Sequence, residues 1–443
     1  MSFVSNTPQE QKEMLDAIGL TSTSDLFLDI PEAVRNPDLD IPKALSESEV
    51  YAKLHALSHK NAHGLTCFLG AGYYDHFIPA AIDSLVSRSE FYTAYTPYQP
   101  EASQGTLQAI YEYQSLICRL TGMDAANASL YDGGTALFEA AMMAIRVTRR
   151  NTILIDSGVS PIYRNMLYCY TRNLSINFIE TPVKHGQSDR EDIQKHMDSD
   201  TAAVITANPN FFGAVDDFSD IAKMAHENGS LLITSVYPIS LGVLKTPEAM
   251  GADIVTGEGQ SLGIPLSFGG PYLGFLASKK KYLRKMPGRI AGATVDTAGK
   301  RGFVLTLQAR EQHIRREKAM SNICTNQALC ALRATIYMSL MGKQGLKEAA
   351  MKSAAKAEYL KDRIDEIPGA QVKRSAPTFN EFTVELRSPA GEVAARMIDK
   401  GIAAGFPLGR YYEGMDNYLL VAVTENRTIE ELGMFLAALE ASV

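Results

Sequence analysis

The sequence predicts an α/β fold: one large, mostly parallel sheet covered by helices, then a smaller C-terminal α+β domain. Two observations carry this. Between about residues 105 and 280, short apolar runs alternate with helical stretches, as parallel strands buried on both faces require. After about residue 320 the texture changes to long helices, then to strand and helix in alternation. The expected division is an N-terminal helical arm (1–65), a large α/β domain (66–325) and a small C-terminal α+β domain (326–443).

The elements follow in order. QEQKEMLDAIG (9–19) has apolar residues at helical spacing and ends in Gly19. Pro31, Pro37 and Pro42 make residues 30–43 extended. LSESEVYAKLHALSHKN (45–61) is a helix with a Ser-x-x-Glu or Ser-x-Glu start, depending on which serine caps it. GTLQAIYEYQSLICRLTG (105–122) is an amphipathic helix closed by Gly122, and ASLYDGGTALFEAAMMAIRVT (128–148) is a strand, a Gly turn and a helix. TILIDS (152–157), INFIET (176–181), AAVITANP (202–209), LLITSV (231–236), ADIVTGEG (252–259) and LGFLAS (273–278) read as strands, with SDIAKMAHENG (219–229) as a crossover helix. NQALCALRATIYMSLMG (326–342) and LKEAAMKSAAKAEYLKDRIDEI (346–367) are two helices. FNEFTVELR (379–387), a helix near 390–400 and NYLLVAVTE (417–425) complete the chain.

Composition limits the function classes. The 443 residues carry 43 Lys+Arg against 50 Asp+Glu, a formal net charge of −7, which argues against a broad nucleic-acid-binding face. No apolar stretch approaches the ~20 residues of a membrane helix. The start, MSFVSNTPQEQKEMLDAIG, has neither a signal-peptide core nor an Arg-rich transit pattern. Five widely spaced cysteines without a CxxC fit a reduced, cytoplasmic chain better than a disulfide framework or a zinc site. No GxGxxG, Walker loop, HExxH or GxSxG is present.

Several segments could still carry chemistry. In YTAYTPYQPEASQG (92–105), Tyr92, Tyr95 and Tyr98 recur around Pro97 and Pro100, so a loop displays phenol rings as a pocket wall or as an interface anchor. YDGGTALFEA (131–140) puts a Gly pair at a helix N-terminus, which suits phosphate or is an ordinary tight turn. FLGAGYYDH (68–76) offers His76 as an acid–base group or as a structural histidine. TGEGQSLGIPLSFGGPYLGF (256–275) is a Gly-rich connection at strand C-termini, a ligand place or a packed bend. In REQHIRREKAMSNICTNQAL (310–329), Glu311 and Arg315 stand four apart as a helical pair. Arg310, Arg315 and Arg316 then belong to a solvated helix or anchor an anion or acidic partner.

Taken together, FLGAGYYDHFIP, YTAYTPYQPEASQG, GIPLSFGGPYLGF, MPGRIAG (286–292) and LQAREQHIRREKAMSNICTNQAL (307–329) resemble the P-protein of the glycine cleavage system, glycine decarboxylase. The resemblance implies the fold of fold-type-I pyridoxal-phosphate (PLP) enzymes. The chain is similar to the N-terminal half of single-chain P-proteins, and so to subunit 1 (the α subunit) of the split form. Fold-type-I chemistry needs a Schiff-base lysine and an acid for the pyridinium nitrogen. Matching on GIPLSFGG puts the place of the lysine at Gln260, and matching on LKTPEAMGAD (244–253) puts that of the aspartate at or beside Tyr237. No lysine lies between Lys245 and Lys279, and Lys279–Lys281 read as a solvated turn. YDGGTAL also lacks the Ser-Gly-x-x-Gly character of the catalytic half.

The resemblance therefore implies a subunit that binds no PLP covalently, within an enzyme that decarboxylates glycine and passes the aminomethyl group to the lipoyl arm of H-protein. PLP belongs to subunit 2, in an α₂β₂ assembly, with T- and L-proteins as the wider system. Tyr92, Tyr95, Tyr98, Glu101 and Gln104 are the candidates for completing the partner's pocket, and Arg310, Arg315 and Arg316 for partner or anion contact. The rivals are an autonomous PLP-dependent decarboxylase or aminotransferase using a non-aligned lysine, and a purely structural scaffold.

Overall fold

Long apolar runs without alternation demand burial on both faces, and the structure, a computed structural model, provides it. It describes residues 5–35, 37–267 and 269–443; residues 1–4 of the chain start, Asn36 of the extended stretch and Phe268 of the Gly-rich connection lie outside. The main sheet has seven strands: β1 Ala125–Ala126, β2 Thr152–Asp156, β3 Asn177–Thr181, β4 Thr201–Asn208, β5 Leu231–Val236, β6 Ile254–Glu258 and β7 Gly274–Ser278. Every residue of β2, β4, β5, β6 and β7 is buried. The order is β1-β7-β6-β5-β4-β2-β3. β3, β2, β4, β5 and β6 run parallel, and β7 is antiparallel to both β6 and β1. The C-terminal ends of β4, β5 and β6 therefore share one edge, where open α/β sheets bind ligands.

Helices cover the sheet. Gly133–Thr148 buries Ala136, Ala140, Met143 and Ala144, and Asp132 caps its start by accepting from the Thr135 N–H at 2.8 Å. Gln104–Thr121 ends at Gly122, whose φ of 80° closes the helix with a left-handed residue. The two C-terminal helices that the sequence predicts follow one another over Ala328–Ile364, parted at Gly342, where a φ of 58° and a ψ of −174° break the helix.

A second sheet, in the order β8-β9-β11-β10, joins β8 Ala370–Val372, β9 Glu381–Leu386, β10 Phe406–Pro407 and β11 Tyr418–Ala422, all antiparallel. Thr66–Cys67 pairs in parallel with Ile402–Ala403, and the Ala422 N–H donates to Phe68 O at 3.0 Å. Residues 66–68 thus join the C-terminal core, because the fully buried Phe68 ring packs 4.5 Å from Phe435.

The N-terminal residues to His63 form their own unit. Thr7 with Glu10 and Ser46 with Glu49 form capping boxes for helices Pro8–Ala17 and Glu47–Ser58, so Ser46 is the serine that caps the second. The stretch expected to be extended contains a short helix, Glu32–Arg35, since Pro31 has a φ suited to starting a turn.

Gly257 shows how tightly the sheet edge is built. A Cβ there would lie 2.4 Å from both Val236 O and the Phe275 ring. Gly257→Ala should cost ~1–3 kcal/mol of stability, read as a lower urea midpoint; an unchanged midpoint would contradict this packing.

Candidate functional site

Gln260 and Tyr237, which the resemblance sets at the places of the lysine and the aspartate, lie just beyond the C-terminal ends of β6 and β5. Gln260, two residues beyond β6, is buried with its amide fully used. Its Oε1 accepts from the Tyr74 N–H at 2.8 Å, and its Nε2 donates to Tyr74 O at 3.1 Å and Ile264 O at 2.8 Å. Tyr237 follows β5, and its ring centroid lies 4.2 Å from that of Tyr74. The Tyr237 hydroxyl bonds His76 Nε2, and His76 Nδ1 lies 2.6 Å from Glu425 Oε2. Both bonds are satisfied when Nδ1 donates to the carboxylate and Nε2 accepts the phenol proton. His76 is thus the middle of a buried chain.

The helix N-terminus at Gly133 is also taken. Glu258, the last residue of β6, accepts from the Gly133 N–H at 2.9 Å with one oxygen, and from the Gln260 and Leu273 N–H groups at 3.0 and 3.1 Å with the other. Such a helix start draws anions, and here the chain's own carboxyl oxygens take its N–H group. Glu381, reaching in from β9, accepts from the Ala71 N–H at 2.6 Å and the Tyr74 hydroxyl at 2.9 Å. The remaining cavity, lined by Tyr74, Tyr163, Phe211, Tyr237, Glu258 and Glu381 among others, is about 60 Å³. That holds a few waters, against the ~300–1,000 Å³ of ordinary ligand pockets.

Lys279 takes no part in this edge. Its Nζ lies 3.0 Å from Asp253 Oδ1, next to the start of β6 and so at the opposite edge of the sheet from Gln260.

The tyrosine loop and the basic segment form a second feature. Tyr92, Tyr95 and Tyr98 are exposed. The Tyr95 hydroxyl lies 3.2 Å from Thr325 Oγ1. The Tyr98 hydroxyl accepts from Arg289 Nη2 at 3.2 Å, and its ring meets His313 edge-on at 5.3 Å. Gln104 is an anchor: Oε1 accepts from the Phe303 N–H at 2.9 Å, and Nε2 donates to Phe303 O and Pro100 O. Glu101 stands exposed beside it.

The basic segment is not one solvated helix. It breaks into a 3₁₀ turn Gln308–Arg310, a four-residue helix Gln312–Arg315 and a second 3₁₀ turn Arg316–Lys318. The expected Glu311–Arg315 side-chain pair is replaced: Glu311 Oε2 sits 3.7 Å from Arg289 Nε, and Arg315 Nε donates to Ala309 O at 2.9 Å. Positive φ at Leu307 and Arg316 prevents a continuous helix. Arg315 and Arg316 are exposed, but Arg310 is buried.

The structure thus joins Tyr95 and Tyr98 to Arg289, His313 and Thr325, none of which stands out in the sequence. Glu258, Glu381, Tyr74 and Glu425 were also missed. Glu258 carried a local signal, an acid inside the Gly-rich GEGQ turn. Glu381 and Glu425 reach the site only through tertiary folding.

The family model described as glycine cleavage system P-protein matches residues 1–439. A probable glycine dehydrogenase (decarboxylating) subunit 1 from Geotalea uraniireducens is 56% identical over 443 residues, covering all of both chains. One from Maridesulfovibrio salexigens is 53% identical over the same span, again covering all of both. The crystal structure of a glycine decarboxylase (P-protein) of the glycine cleavage system, in inhibitor-bound form, superposes with a TM-score of 0.94 at 42% identity, covering both chains completely. Lactobacillus brevis glutamate decarboxylase shares the fold at a TM-score of 0.71 and 12% identity, over 93% of this chain and 96% of its own. The fold is that of fold-type-I PLP enzymes, as the resemblance implied.

Burial pushes Asp156 up to about 6, Glu381 to about 7, and Glu258 to about 8 against the pull of its three N–H donors. A carboxyl raised in the folded state stabilises fully below its unfolded value, and that stabilisation is lost as pH rises through the folded value. The thermal midpoint should therefore fall as pH rises from about 4, the unfolded carboxyl value, to about 8, each group costing on the order of a few kcal/mol. Glu381→Gln should flatten its share of the slope. A midpoint that stays level or rises across this window would contradict the assignment.

Proposed function

The chain belongs to the family of the glycine cleavage system P-protein, and from this we propose that it is subunit 1 of a glycine dehydrogenase (decarboxylating), the half that holds no PLP. With subunit 2, it decarboxylates glycine and delivers the aminomethyl group to the lipoyl arm of H-protein. Subunit 2 supplies the lysine and the cofactor, in an α₂β₂ enzyme working with T- and L-proteins.

One observation carries this reading: the cofactor place is filled by the chain's own side chains. The residues there do not fit PLP. Glu258 holds the helix start where a phosphate would lie, and its side chain already takes the Gly133 N–H that a phosphate would need. Gln260 cannot form a Schiff base, and its amide already bonds the backbone of Tyr74 and Ile264. Tyr74 and Tyr237 occupy the space for a ring, and no carboxylate follows β5. The autonomous PLP-enzyme rival would need another lysine, and Lys279 is tied to Asp253 at the far edge.

The contribution of this chain then lies at its surface. Tyr95 and Tyr98 offer hydroxyls held by Thr325 and Arg289 to orient what enters the partner's pocket. Tyr92 and Glu101 extend the same loop, and Gln104 fixes it to Phe303. Arg315 and Arg316 present exposed charge suited to an acidic partner such as a docking H-protein, with Arg310 behind them. A permanent pair of this kind should bury more than ~2,000 Å². No helix among the described residues is long and apolar enough to cross a membrane, which agrees with work in the cytoplasm.

Gln260→Lys should not give the isolated chain a PLP aldimine, because Glu258 and the two rings remain; a stable yellow adduct on residue 260 would contradict the filled-site reading. Tyr95→Phe and Tyr98→Phe should each lower turnover of the assembled enzyme, up to about tenfold for one lost hydrogen bond, with the complex intact by gel filtration. Unchanged turnover would make the tyrosines subunit glue and favour the scaffold rival. Arg315→Glu should raise the apparent KM for H-protein; an unaltered KM would leave that residue as solvated surface.

A further inference from the structure

Behind the basic segment lies a group of cations that the functional reading does not use. Arg310 is 7% exposed. Its Nη2 donates to Gly288 O at 2.7 Å, but its Nε and Nη1 are buried without any hydrogen-bond partner. Arg146, on the helix Gly133–Thr148, likewise has Nε and Nη2 buried and unpartnered. Burial, aided by the nearby Arg146 guanidinium, pushes Arg310 down to about 10, although Glu311 pulls the other way.

Arg310 lines a cavity of about 330 Å³ whose wall also includes Arg284, Arg315, Lys318, Leu307 and Met320, and no carboxylate. The nearby acids stand off the cavity wall and keep one oxygen each without a hydrogen bond, Glu311 Oε1 and Glu139 Oε2. Glu311 faces Arg289 and His313 at 3.7 and 3.8 Å, and Glu139 accepts from Ser321 Oγ at 2.7 Å. Buried guanidinium donors without acceptors are unfavourable, and like charges beside them add to the cost. An oxyanion with several acceptor oxygens and two negative charges, seated in the cavity, would offset the four cations on its wall. Guanidinium forks and a lysine are the usual receptors for such a group.

We propose that Arg284, Arg310, Arg315 and Lys318 form a binding site for a phosphate group, free or as the end of a small monoester. The site needs neither subunit 2 nor PLP, so it stands or falls separately from the functional reading. It shares Arg315 with the exposed charge assigned to H-protein docking, so a bound phosphate would compete there.

Calorimetric titration of the full chain and of the assembled complex, with inorganic phosphate and with glycerol 3-phosphate at constant ionic strength, tests the site. The expected result is one saturable site per chain for at least one probe, with chloride giving none. Arg284→Gln and Lys318→Gln, both at the rim, should each weaken binding about tenfold while the thermal midpoint in phosphate-free buffer stays put. Arg310→Met should abolish binding and keep or raise that midpoint, since it removes orphaned donors. Tighter binding of phosphate places the free ion in the cavity; tighter binding of glycerol phosphate places an ester there. Absence of saturable heat with both probes, or wild-type affinity in Arg284→Gln and Lys318→Gln, would overturn the proposal.

Discussion

A buried carboxylate must find donors, and Glu258 finds three backbone N–H groups at one helix start and one Gly-rich turn. This contact ties the end of β6, the helix Gly133–Thr148 and the strand entering β7 into one knot. It also puts carboxyl oxygens at the dipole's positive end, where an anion would otherwise be drawn. Gly133 is required there: a Cβ would lie 2.5 Å from the Tyr163 hydroxyl and 3.0 Å from the Glu258 Cβ. With the anion place closed from within, the space beside it is free to pack as core. Tyr74 and Tyr237 stack there, and Glu381 and Glu425 anchor the hydroxyl and imidazole groups that come with them.

The architecture is that of the fold-type-I enzymes, and at this sheet edge buried side chains bond one another. The parallel strands still end together, but their ends meet side chains in place of a ligand. The polar groups that stay accessible are elsewhere, on the tyrosine loop and the basic segment. There Tyr98 lies under Arg289, whose guanidinium carbon is 5.4 Å from the ring centroid. Such a contact holds a phenol at the surface in a defined orientation without burying it. Under the proposed function, a rim of this kind is what this chain would offer to the partner's pocket.

How much of this was legible in the sequence follows from how local each interaction is. The buried strands were legible because a run such as TILID or LLITSV has one physical solution. The start of the helix Glu47–Ser58 was legible as local capping chemistry, with the choice of serine left to the structure. The role of Glu381 was not legible, because β9 delivers it to Ala71 and Tyr74 from across the chain. The basic segment departs from its sequence pattern for a related reason. Helical spacing paired Glu311 with Arg315, yet tertiary contact with Arg289 and two residues at positive φ outweighed a local pair worth a few tenths of a kcal/mol.

The central claim is that the cofactor chemistry resides in the partner and not in this chain. Incubation of the purified chain, and of the complex with subunit 2, with PLP, followed by borohydride reduction and peptide mapping, tests it most directly. The account predicts no specific lysine adduct on this chain and a single one on subunit 2. A stoichiometric adduct on one lysine of this chain would contradict it.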